Sequence, residues 1–114
     1  MATLSSGGQP VPGTFTNHFL AHLQVAAANR FNEGKGFFLT VTEADSDGNE
    51  ITFCHWLHPS IPLAFNYDIR DDAGNRVAPV RLDHKKIDAI ADEMELPNGV
   101  RGSEAVWWPF HEPL

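Results

Sequence analysis

The chain has one cysteine, one tyrosine, and no acidic residue before Glu33 in its 114 residues. A lone Cys54 excludes an internal disulfide framework. No apolar run approaches the ~18 residues that a membrane-spanning helix needs. The N-terminus lacks the basic and apolar stretches of a secretory signal. With the single thiol, this sets the expectation of a reducing, cytoplasmic location. All 15 acids fall beyond residue 32, and the formal charge is −7. Such a surface repels phosphate backbones, so a nucleic-acid partner is not expected. It suits a basic protein partner, or keeps a small domain in solution.

Against these absences stands a globular composition, 42% apolar and 20% charged, long enough for one domain with a real core. Met1 to Thr14, rich in Gly, Ser and Pro, reads as a flexible tail, leaving residues 15–114 as a single α+β domain. Residues 15–31 carry a helical stripe of Phe15, Phe19, Leu20, Leu23, Ala26, Ala27 and Phe31, capped by Thr14 or Thr16 and ended by Gly34 or Gly36. Arg30 falls inside the stripe and should snorkel or pair with a carboxylate.

Period-2 alternation follows. Phe37, Leu39 and Val41 share a strand face. Ile51, Phe53, His55 and Leu57 share the next, opposite Thr52, Cys54 and Trp56. Leu63, Phe65, Tyr67 and Ile69 share a third. Asp45-Ser46-Asp47-Gly48-Asn49 and Asp71-Asp72-Ala73-Gly74-Asn75 read as hairpin turns. Arg76 to Leu82 reads as an edge strand because of Pro79. A second helix is expected from His84 to Glu95, capped by Asp83 and stopped by Pro97-Asn98-Gly99. Its charges oppose the helix dipole, which calls for compensating tertiary or partner contacts. Glu104 to Trp108 suggests a fifth strand. The expected architecture is an N-terminal helix packed on a four- to five-stranded antiparallel meander, with a second short helix near the C-terminus.

Two aromatic-histidine clusters are the candidate functional regions: Phe53-Cys54-His55-Trp56-Leu57-His58 and Trp107-Trp108-Pro109-Phe110-His111. Together they hold all three tryptophans, the residue type most over-represented at interface hot spots. Alternation puts His55 in or near the core, where it needs a partner such as Tyr67, Arg30 or a carboxylate. Cys54 and His55 point to opposite faces and cannot form a dyad, so Cys54 reads as half-buried and inert. His18 and His22 have the spacing for a shared metal. The pair lacks the following Glu of a zincin and any identifiable third ligand, so no metal and no cofactor is expected.

No catalytic set assembles from these residues. The leading expectation is a small acidic protein-interaction domain, an inhibitor or immunity-type protein that binds and blocks a partner or pairs with itself as a homodimer. Its contact residues would come from Trp56, His55, Tyr67, Trp107, Trp108 and His111. The alternative is a small-ligand site or enzyme with a pocket between the first helix and the sheet, around His55 and Tyr67.

Overall fold

The computed structural model of the chain describes residues 2–44 and 46–102. Two helices and two small three-stranded sheets enclose one core. In chain order the elements are β1 (Thr3–Ser6), β2 (Gln9–Pro10), α1 (Asn17–Asn32), β3 (Phe37–Ala44), β4 (Glu50–Leu57), β5 (Leu63–Asn66), α2 (His84–Met94) and β6 (Val100–Arg101).

The helices begin and end where side-chain chemistry dictates. The Thr16 hydroxyl accepts the Phe19 N–H at 3.0 Å, and the Asp83 carboxylate accepts the Lys85 N–H at 2.9 Å. Gly34, at φ +75°, follows the end of α1 in a conformation glycine adopts without a Cβ penalty. Phe19, Leu20, Leu23, Ala26 and Ala27 are buried from α1, and Ile87, Ile90 and Met94 from α2. Full burial of each large apolar side chain contributes about 1.5–3 kcal/mol.

The two helices lie side by side and run in the same direction, because they touch at both ends. Lys86, near the start of α2, reaches His18 near the start of α1 at 3.2 Å. Arg30, in the last turn of α1, binds Glu95 at the end of α2 and donates from Nε to the Gly36 carbonyl at 2.9 Å. Glu95 therefore meets a guanidinium at a helix end whose dipole disfavours its charge. The expected carboxylate partner of Arg30 is this residue.

The single meander expected from the sequence is instead two sheets. The β3–β4 hairpin forms as anticipated, with eight residue pairs from Phe37↔Leu57 to Ala44↔Glu50. Its other neighbour is β6, which runs parallel to β3 with Leu39 opposite Val100. The strand expected at Glu104–Trp108 lies outside the described residues. β5 does not join β4: the stiff His58–Pro62 link carries it away to pair antiparallel with β1, Thr3 opposite Asn66.

The N-terminal residues, expected as a flexible tail, therefore supply the central strand of the second sheet. Gly7 and Gly8, at φ +59° and +80°, make the two-residue turn joining β1 to β2. Ala2, Leu4 and Val11 are buried with the rest of the core. Arg76–Leu82 is not a strand. Among the described residues its pairing is confined to an Arg70↔Arg76 bridge and a Val77 N–H bond to the Ile69 carbonyl. Pro79 has no N–H with which to extend that ladder.

Candidate functional site

The β3–β4 hairpin has two chemically different faces. Phe37, Leu39, Val41 and Leu57 are buried on the inner face, where Phe37 stacks on Phe31 of α1 with ring centroids 5.8 Å apart. On the outer face the cross-strand pairs are Phe38↔Trp56, Thr40↔Cys54 and Thr42↔Thr52. The two threonine hydroxyls of the last pair lie 3.2 Å apart, and the Thr40 hydroxyl is 3.6 Å from the Cys54 sulfur. Thr40 also donates to the Asn98 carbonyl at 2.7 Å. Cys54 is exposed, not half-buried as expected.

Trp56 is 48% exposed and Phe38 37%. Their ring centroids lie 4.9 Å apart at a 52° tilt, and the His58 ring also stacks with Trp56, at 5.9 Å. Gly36 lies beneath the indole. A Cβ at that position would approach Trp56 Cζ2 to 2.7 Å and the Leu57 carbonyl to 2.5 Å. The absence of a side chain at position 36 lets the benzo edge of the ring approach the backbone closely. The result is a short aromatic platform with a threonine-lined continuation.

His55 occupies the inner face of β4, half-buried, with its ring 6.4 Å from that of Phe53. Its Nε2 is buried and has no hydrogen-bond partner among the described residues. The three partners expected for it are engaged elsewhere or out of reach. Tyr67 donates to Gln24 Oε1 at 2.5 Å, Arg30 is held by Glu95 and Gly36, and no carboxylate meets the ring.

Tyr67 follows β5 in the other sheet, so His55 and Tyr67 are not brought into one pocket. Tyr67 instead lines an open groove of about 460 Å³ with Asn17, Gln24, Asp68, Arg76 and Pro79. Desolvation there raises its pKa above the ordinary 10.0. Most polar groups of this groove are engaged. The Asn17 side chain donates to the Asp68 carbonyl at 2.8 Å and accepts the Asp68 N–H at 3.0 Å.

The His18/His22 pair is not a metal chelate. His22 is fully buried. Its Nε2 accepts the Asp83 N–H at 2.9 Å, which fixes the ring proton on Nδ1, donated to the His18 carbonyl at 2.7 Å. Lys86 can only donate, so the His18 Nε2 accepts from it. Among the described residues no group of three or more His, Cys, Asp or Glu is placed to hold a metal. None of the described helices is long and apolar enough to cross a membrane. Trp107, Trp108 and His111 lie outside the described residues.

Sequence reasoning put Trp56 on the face opposite His55, with Thr52 and Cys54, but it missed Phe38 beside it. The signal was present: Phe38 alternates with Phe37 and pairs with Trp56 in the register of the β3–β4 hairpin. No curated protein and no solved structure matches the chain. A protein-family model does match, over residues 1–104, a span that includes every element described above and stops short of Trp107. The chain belongs to that family, described as Domain of unknown function (DUF7882).

Proposed function

We propose that the protein is a cytoplasmic interaction domain that binds and blocks a protein partner through the outer face of the β3–β4 hairpin. The observation that carries this reading is the Phe38–Trp56 pair. It consists of two large rings standing beside each other on an exposed sheet face, next to Thr40 and Cys54 and with no covering element among the described residues. Paired aromatics rimmed by small polar groups are the usual make-up of an interface centre. The net charge of −7 favours a basic partner by long-range attraction.

The second reading is a small-ligand site in the Tyr67 groove. One observation favours it: Arg76 is among the residues lining the groove, and an arginine is a donor suited to an anionic group. The groove is open, however, and its Asn17 and Tyr67 groups already bond within the protein. The interaction reading therefore takes precedence.

Site-specific photocrosslinking in the native host tests it. A benzophenone side chain is introduced in place of Phe38, and in a control in place of Asp88, an exposed residue on α2. The expected result is a discrete adduct from position 38 alone, abolished by Trp56→Ala and reproduced with the purified partner. Equal labelling from both positions, or an adduct indifferent to Trp56→Ala, overturns the proposal.

A further inference from the structure

We infer that two copies of the chain join edge to edge through β4, making one continuous six-stranded sheet. This goes beyond the partner-binding reading and does not depend on it.

The argument starts from the sheet edges. β2 is two residues long and contains a proline, β6 is two residues long, and β5 has four residues. β4 is different: eight residues, paired only to β3 among the described strands, with no proline, no lysine and a single charge at Glu50. Edges of that length are normally blunted by charge, proline, bulges or a covering element. Here the strand also leaves Ile51 and Trp56 exposed and Phe53 half-exposed. An open edge of this kind presents a row of backbone N–H and C=O groups that a second strand can pair with.

Symmetry then restricts how a second copy can pair. Two antiparallel neighbours related by a two-fold must keep inner faces together and outer faces together, so each residue meets one of its own face. That leaves registers centred on a single residue. Centring on Cys54 sets Ile51 against the partner's Leu57, Phe53 against the partner's His55, and Thr52 against the partner's Trp56. It also brings Glu50 opposite the partner's His58.

The last pair is chemically matched. The His58 Nδ1 accepts the Ser60 N–H at 3.1 Å, so the ring proton sits on Nε2. Nε2–H can donate to the partner's Glu50 carboxylate, once at each end of the junction. Centring one residue earlier, on Phe53, would put Glu50 against the partner's Trp56 and Ile51 against the partner's His55, losing both matches. The aromatic platform stays on the outer face in the dimer and is present twice.

Oxidative crosslinking and mass in solution test this. In the Cys54-centred register the two Cys54 Cβ atoms lie about 4.5–5.5 Å apart, close to disulfide reach. Light scattering on the reduced protein should give a dimer mass. Mild copper-phenanthroline oxidation should then link nearly all chains through Cys54. Moving the thiol two residues along, with Thr52→Cys in a Cys54→Ser background, places the sulfurs roughly 13 Å apart, four strand residues, and should cut the linking rate at least tenfold. Ile51→Lys should convert the dimer to a monomer with an unchanged circular dichroism spectrum. A monomer up to millimolar concentration overturns the inference, as does a dimer that links equally well from both thiol positions. A monomer that still gives the Trp56-dependent adduct removes only the β4 junction. A Cys54-linked dimer with no such adduct keeps the junction and removes the external partner.

Discussion

The His22 ring accepts the backbone N–H of Asp83, the residue that caps α2. One buried imidazole on α1 thereby satisfies the capping residue of its neighbour. The carboxylate of that same residue in turn satisfies the Lys85 N–H. The start of α2 is set by a side chain from another helix as well as by its own sequence.

His22→Leu should therefore cost more than its change in volume. The Asp83 N–H would be left without its partner in the interior, a loss of about 1–3 kcal/mol before any packing defect. Urea unfolding should show a total destabilisation of roughly 2–4 kcal/mol, and His18→Leu, at a half-buried position, appreciably less. A His22→Leu loss below about 0.5 kcal/mol would sink this account of the helix pair.

Two glycines with similar backbone angles should respond very differently to alanine. Gly99 has φ +68°, and a Cβ there would lie 1.8 Å from the Phe38 carbonyl oxygen. Gly48 has φ +83° with nothing within 4 Å of the same point. Gly48→Ala should cost only the left-handed backbone penalty, about 1–2 kcal/mol. Gly99→Ala must also displace β3 from the residue that leads into β6, and should prevent cooperative folding. Comparable thermal melts for the two variants would contradict the packing described.

Tyr67 is the only tyrosine, so its ionisation can be read without ambiguity from absorbance near 295 nm. Burial raises its pKa in the folded protein, and the midpoint should lie above 10.0, falling back to about 10 in concentrated urea. The folded state holds this proton more tightly than the unfolded state. The associated stability is therefore complete below pH ~10 and is lost as pH rises through the folded midpoint. A folded midpoint at or below the urea value would show that the phenol is not desolvated.

Trp56 and Leu39 separate function from stability. Leu39 is fully buried on β3 beside Val100 of β6, so Leu39→Ala should destabilise by about 2–5 kcal/mol. Trp56→Ala, at a half-exposed position, should cost about 1 kcal/mol or less. The ring would then be held for binding and not for folding. Equal losses in chemical denaturation would assign Trp56 a structural role.

The legible parts of this fold were those with local causes. Thr16 and Asp83 announce helix starts, Gly34 a helix end, and Gly48 the turn of the β3–β4 hairpin that presents Trp56. What escaped was decided at long range. The Gly7-Gly8 turn and the Thr3–Ser6 strand were hidden by a composition typical of tails. Their meaning depends on β5, which lies beyond α1 and the whole hairpin. His22 sits at the margin of the α1 stripe and is buried only because α2 packs there. His55 was rightly placed on the inner face, but its hydrogen-bond partner was not found among the residues nearest in pattern.

The strand pairings also bear on how the chain assembles in time. β1 must wait for β5, and β3 for β6, each about sixty residues further along, whereas the β3–β4 hairpin needs only its own turn. During synthesis the first strand would emerge with nothing to bind, and neither sheet could be completed until its late strand had left the ribosome. Such non-local closure slows folding relative to a helical bundle of equal size. It also leaves the preformed β4 edge exposed in the partly made chain, the stage at which one nascent copy could first meet another.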